Sequence, residues 1–404
     1  MYKNRMLAIV LLLTLILAAC GGGGGGAALK DPPSASKPAA DLRMTSHREI
    51  KTQGARPISL SPDGRWLLVD QGGVPCMYDT APLTLKFCVD ESDIHGMDDQ
   101  SVAWSPDGAR VAFTENFFQH MNDSDLWVLE LEGEKLANLT DDSVERLSFG
   151  AQSEGDPLVD VLPTWSPDGK KLLFARSAQK DGEWAGTVLY RISASGGKPE
   201  RLQTIDPEMP GAVWPSMRWT RDGKKIVYTV YRNQRDDPNS GVWIAERDGK
   251  NPRHVLGFTD EEMGMPVLLD VSAQGDKALV WYAEGATRFA SGYNVSYYVL
   301  LDLETGDVEP LKQASSEEPE FSSPTTAVFA PDGSKLLYTY RDVGGEFRLV
   351  VRDVEGGPEN VLTTSEEMLG YSADMGLGLN WASDDTVYVG TSPGSGLLIS
   401  LGAE

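Results

Sequence analysis

Histidine is scarce. The 404-residue chain has four, His47, His95, His120 and His254, and no two share a zinc-motif or helical spacing. A dedicated zinc site is therefore not expected. Cations are scarce as well: Lys and Arg total 36 against 60 Asp and Glu, a formal charge of −24. Phosphate backbones need clustered cations, so nucleic acid is excluded as a partner. Beyond residue 19 no apolar run approaches membrane-spanning length. Neither Asp98-Asp99 nor Asp123-Ser124-Asp125 opens the Gly-containing loop of an EF-hand. The glycine run Gly21–Gly26 joins no strand to a helix, so it is no phosphate loop. Gly390-Thr391-Ser392-Pro393-Gly394 spells a serine-hydrolase elbow, but no histidine follows it to complete a triad. It reads as an ordinary loop.

What is present is turn-rich and aromatic. Ten Trp, 13 Tyr and 11 Phe are ample for a core, while 42 Gly and 24 Pro predict many turns and hence short strands. The chain opens with Lys3 and Arg5, then an apolar run from Leu7 to Ala19, ending Leu17-Ala18-Ala19-Cys20. A charged start before a run too short to span is a secretory pattern. Small residues ahead of Cys20 resemble the bacterial lipoprotein signal, which implies lipidation of that cysteine. Gly21, not Asp, follows it, which favours the outer membrane. Residues 1–19 are thus expected to be a lipoprotein signal peptide. Residues 20–45 are the lipidated cysteine and a Gly-rich tether reaching roughly 25–30 Å, and 46–404 the folded domain. Cys76 and Cys88 flank a segment with β-rich arms around Pro82. A hairpin there would set them opposite each other, a candidate disulfide in an oxidising compartment; two buried thiols are the alternative.

One phrase recurs along the domain. It reads Leu60-Ser61-Pro62-Asp63-Gly64, Trp104-Ser105-Pro106-Asp107-Gly108, Trp165-Ser166-Pro167-Asp168-Gly169, Trp219-Thr220-Arg221-Asp222-Gly223 and Phe329-Ala330-Pro331-Asp332-Gly333. Worn copies stand at Val271–Gly275 and Trp381–Asp385, giving a mean period of ~53.5 residues. A large apolar residue ends a strand, Pro sets φ, Asp bonds its own backbone and Gly takes positive φ. A second, third and short fourth strand follow each turn. Four antiparallel strands at a fixed period describe propeller blades.

The repeats resemble the Pro-Asp-Gly cousin of the WD40 repeat found in TolB-like propellers, over about residues 46–401. The resemblance implies an all-β fold, a seven-bladed propeller of four-stranded antiparallel blades. It also implies protein binding in the periplasm. The last blade stops after its third strand, Leu397–Ser400, so the N-terminal segment Ser46–Lys51 is expected to supply its outer strand and close the ring. About 25 linker residues stand where TolB carries a separate α/β domain.

Blade topology sorts loops by face. The inter-blade segments 90–100, 140–162, 204–217, 257–270, 313–327 and 363–379 hold 23 acids against one base, Arg146. They fall on one face, called the upper, opposite the Pro-Asp-Gly turns. Such a field attracts cations or a basic protein patch. The candidate acidic binding face comprises Asp98, Asp99, Asp141, Asp142, Asp156, Asp160, Glu261 and Glu262. Trp184 and Trp214 fall outside the periodic tryptophan positions and are candidate aromatic contacts. The carboxylates could accommodate Ca2+, although no cofactor is established. The expected molecule is a monomeric, lipid-anchored cell-envelope propeller facing the periplasm. Its expected role is a non-catalytic scaffold for an envelope protein or cationic ligand. The alternative is an envelope hydrolase or lyase working through channel-mouth carboxylates and a divalent cation.

Overall fold

The computed structural model describes residues 38–403, except 53, 91–93, 95, 116–123, 143–157, 181–182, 203–215, 231–238, 258–266, 285–294, 316–326, 342–346, 364–378, 384 and 393–394. These residues belong to the unit Ser36–Glu404. Seven four-stranded antiparallel sheets form it, the seven blades expected from the repeat. The sole helical piece among the described residues is one 3-10 turn, Ala39–Asp41.

Each recurring phrase makes the turn between the first and second strands of its blade. In blade 1 the Ser61 hydroxyl donates to Asp63 Oδ1 at 2.6 Å and accepts from the Trp66 N–H at 2.9 Å. Asp63 Oδ1 also receives the Arg65 N–H at 3.1 Å. The same bonds recur with Ser105 and Asp107, Ser166 and Asp168, and Thr220 and Asp222. The Ser166 hydroxyl holds the Asp168 carboxyl below its ordinary range, with the Lys170 N–H assisting and partial burial opposing. The hydroxyl residue of the phrase is therefore as structural as its Asp.

The first strands of blades 1 to 7 are Arg56–Leu60, Met97–Trp104, Leu158–Trp165, Met217–Trp219, Val267–Val271, Ala327–Phe329 and Leu379–Ser383. Each is an edge of its sheet, and they pack side by side around the central channel. The hydrophobic core lies in the seams between blades. Leu173, Ala175 and Leu189 of blade 3 meet Trp219, Ile226 and Tyr228 of blade 4 in one cluster, and the other seams are built alike. A blade buries its two faces only against its neighbours, which is why the repeat must close into a ring.

Closure follows the expected route. The N-terminal strand Leu42–Lys51 runs antiparallel to Ser395–Ala403, with Leu42 opposite Ala403 and Lys51 opposite Ser395. It begins at Leu42, four residues ahead of the expected start. Ile50 is fully buried in the seam between blades 7 and 1, and Ala39 and Leu42 fill the seam between blades 6 and 7. Asp353 accepts the Ala39 N–H at 3.0 Å, which fixes the start of this strand on blade 6. In blade 1, Cys76 and Cys88 are register partners on the third and fourth strands, and their sulfurs are bonded.

Candidate functional site

The innermost strands turn one edge of backbone groups to the channel, and side chains of a neighbouring blade bond into it at several places. The capping position is the residue just before the turn phrase's apolar residue: Ser59, Ala103, Thr164, Arg218, Asp270, Val328 and Asn380. Asn380 Oδ1 accepts the Leu60 N–H at 3.0 Å, linking blade 7 to blade 1. Asp270 Oδ2 accepts the Phe329 N–H at 3.1 Å, linking blade 5 to blade 6. The repeat tryptophans reach back in the same sense: Trp104 Nε1 donates to Ser59 Oγ and Trp165 Nε1 to the Ala103 carbonyl, both at 2.9 Å. Trp219 Nε1 donates to the Thr164 carbonyl at 3.4 Å. These tryptophans are core residues that also stitch the channel wall.

Arg218 and Asp270 are the charged members of this row. Burial pushes the Asp270 carboxyl above its ordinary range, opposed by the nearby Arg218 charge and by the N–H groups of Phe329 and Val271. Burial likewise lowers the Arg218 guanidinium, and the Asp270 charge offsets it in part.

On the upper side, polar groups gather where blade 2 meets blade 3. Asp160 of the first strand of blade 3 is buried and bound at both oxygens by Arg176, at 2.6 and 2.7 Å. Burial pushes the Asp160 carboxyl up to about 6, against the Arg176 and Thr140 hydrogen bonds, with the Asp125 charge adding to the rise. Asp125 is buried beside it and accepts from Asn138 Nδ2 at 2.7 Å. Ser124 forms a parallel bridge with Val159, and its hydroxyl donates to the Asp160 carbonyl at 2.9 Å. Leu162 lies in the same strand at φ +57°, a conformation costing a bulky L-residue about 1–2 kcal/mol. Its N–H is held by Ser101 Oγ at 2.8 Å.

The residues expected on the acidic face are distributed unevenly. Asp98 is buried in the first strand of blade 2; Asp99 follows it in that strand. Asp141 and Asp142 follow the fourth strand of that blade, and Asp142 Oδ2 accepts the Leu158 N–H at 3.2 Å. Asp160, expected on a solvated loop, is withdrawn from solvent because the strand begins at Leu158 and Arg176 stands in register opposite it. Asp156, Glu261, Glu262 and Trp214 lie outside the described residues, as do His95 and His120. Trp184 sits on a strand, Glu183–Ser193, opposite Gln179. Among the described residues, no three His, Cys, Asp or Glu side chains are grouped to hold a metal ion.

Sequence reasoning passed over Arg218, Asp125 as a buried acid, and the strained Leu162. For Arg218 a signal existed: aligning the seven phrases puts a lone arginine in the capping column.

No protein-family model matches the chain, and no curated protein matches it by sequence. Among solved structures it is similar to an oligogalacturonate lyase in complex with manganese, at 13% identity and TM-score 0.56, over 91% of this chain and 96% of that one. It is also similar to the Swd1 β-propeller domain of Myceliophteria thermophila, at 11% identity and TM-score 0.52, over 88% and 99% of the two chains. A putative TolB from Agrobacterium tumefaciens matches at 20% identity and TM-score 0.45, over 68% and 90%. At these identities the likeness is one of fold: the chain is a seven-bladed β-propeller, with TolB proteins among its structural neighbours.

Proposed function

We propose that this propeller is a lipid-anchored, periplasm-facing scaffold of the bacterial cell envelope, held to the outer membrane through Cys20. It binds a basic protein segment or cationic ligand with its acidic face and performs no chemistry on it. One observation carries the reading. Three acids of the innermost region are engaged in structure: buried Asp160 with Arg176, buried Asp125 with Asn138, and half-buried Asp270 with two backbone N–H groups. The acids proposed for recognition are those of the inter-blade segments, whose flanking strand ends lie on the upper side. Their fields extend only about 8 Å at physiological salt, so recognition requires several segments acting together.

The test is retention of envelope proteins on the immobilised chain at low and high salt, with and without Ca2+. The comparison variant combines Asp99→Asn, Asp141→Asn, Glu261→Gln and Glu262→Gln; Asp98 and Asp142 are spared because one is buried and the other caps a backbone N–H. Salt-sensitive retention by the parent and its loss in the variant are expected. Equal retention by both would assign these acids to solubility. The rival reading is a hydrolase or lyase acting through carboxylates and a divalent cation, as the fold of the lyase neighbour permits. It is tested by incubating the chain with oligogalacturonate and Mn2+; release of unsaturated products would establish it.

A further inference from the structure

The column of residues just before the turn phrase contains one side chain that is cationic and carries donors only. Ser59 and Asn380 each present an oxygen to a donor of the next blade, and so does Asp270. Arg218 stands in the same column of blade 4 and has no acceptor to offer. The Val271 N–H of blade 5, which an oxygen at position 218 would serve, turns to Asp270 Oδ1 of its own blade at 2.8 Å.

The ladder shows where the guanidinium goes. Thr229 N–H donates to the Ser216 carbonyl and Thr220 N–H to the Lys225 carbonyl, both at 3.0 Å, so the even-numbered residues of this strand bond the second strand of the blade. Met217 therefore turns its carbonyl to the channel. Arg218 Nη1 donates to that carbonyl at 2.8 Å, which brings the guanidinium to the channel side of the strand. Among the described residues this is its one hydrogen bond. Asp270 is near enough to act through its charge but forms no ion pair with it. A half-buried arginine in a column otherwise free of cations, holding one carbonyl of its own strand and leaving its other donors unused among the described residues, is costly for what it gains in structure. Such departures mark functional positions.

We propose that Arg218 forms an oxyanion site in the ring channel that receives the carboxylate of a ligand. The planar guanidinium offers a fork matched to two oxygens on one group. A monoanion suits it better than a phosphate dianion, because Asp270 stands alongside and the chain carries −24 overall. The site is separate from the acidic face, so failure of the face variant leaves it standing.

The test titrates the full-length chain, in detergent, with acetate, with the tripeptide Gly-Lys-Gly as free acid and as C-terminal amide, and with inorganic phosphate. Binding is followed by calorimetry. The free acids are expected to bind and the amide not to; acetate alone would identify a small free carboxylate as ligand, and the peptide acid alone a chain terminus. Arg218→Asn supplies the missing acceptor. It should weaken carboxylate binding roughly ten- to hundredfold while the melting temperature stays level or rises. Equal binding of acid and amide, tighter binding of phosphate, or no binding at all would overturn the proposal. So would carboxylate binding unchanged in Arg218→Asn, or a marked fall in its melting temperature, which would make the guanidinium a structural strut.

Discussion

Replacing Gly333 by alanine should destabilise the ring far more than the same change at Gly64, although the two glycines occupy equivalent turns. Their backbones are alike, with φ +75° and +71°, so the cost of putting an L-residue there is common to both. That cost is about 1–2 kcal/mol, partly offset by a less flexible unfolded chain. The difference lies in what each turn touches on the preceding blade. A Cβ on Gly64 would come no closer than 3.9 Å to Ala382. A Cβ on Gly333 would lie 2.3 Å from Gln274 Oε1 and 2.8 Å from both the Cβ and the backbone N of Ala273. The Gln274 tip can swing aside, at the cost of its bond from Nε2 to the Asp332 carbonyl at 3.0 Å. The Ala273 backbone cannot. Overpacking against a fixed wall adds about 1–3 kcal/mol, so Gly333→Ala should cost about 2–4 kcal/mol and Gly64→Ala about 1 kcal/mol. Thermal melts followed by circular dichroism should separate them by several degrees, at about 2 °C per kcal/mol for a large domain. Adding Ala273→Gly to Gly333→Ala removes one of the two contacts and should recover part of the loss. Equal melting points for the two alanine variants would refute the claim that these turns bear on each other around the ring.

Truncating Ile50 to alanine should cost about 2–4 kcal/mol in urea unfolding, since it is fully buried in the closing seam; a loss below about 1 kcal/mol would mean the strand does not seal the ring. Asp160 titrates near 6 when folded against its ordinary 3.8, so the folded state binds more protons across that window and stability falls as pH rises through it. Lowering the pH from about 7 to about 5 should thus raise the contribution from this site by on the order of 1 kcal/mol. Asp160→Asn should abolish that part of the pH dependence, and an unchanged slope would place the titration elsewhere. Cys20→Ser should move the protein from the membrane fraction to the soluble periplasm, and unaltered fractionation would reject lipid anchoring.

The blade plan was legible because it is local: Pro, Asp and Gly within five residues dictate a turn wherever they occur, and seven copies count the blades. The closing strand was legible for a related reason, since a blade with three strands and an unplaced β segment leave one solution. The buried polar hub between blades 2 and 3 was not. Asp160 meets Arg176 across a strand pair whose length exceeds that of most blades, and nothing in the spacing of 16 residues marks the two as partners. Counting Asp160 and Asp270 among loop acids was reasonable from their segments, yet both lie on innermost strands. Strand starts are where pattern reading is weakest. Arg218 was hidden differently, because an arginine on a short strand looks like surface until the seven copies are aligned and its column proves to face the channel.

Closure by the N-terminal strand also orders events in time. Leu42–Lys51 is synthesised before every other strand of the ring, yet its strand partner among the described residues, Ser395–Ala403, is synthesised after all the other strands. For the whole interval this segment must wait as an unpaired strand, the state in which β segments aggregate. Its composition suits the wait: Arg43, Thr45, Ser46, His47, Arg48, Glu49 and Lys51 leave few apolar side chains between Leu42 and Ile50. In the finished ring this strand is mostly exposed, with Leu42 and Ile50 the buried pins near its two ends. The same polarity that keeps the nascent segment soluble thus leaves its apolar grip to Leu42, Met44 and Ile50, beside the backbone ladder and the bonds of Thr45 to the Ser400 carbonyl and Arg48 to the Thr80 carbonyl. Closing the ring therefore joins the largest sequence separation of any strand pair among the described residues, a non-local contact of the kind that slows folding.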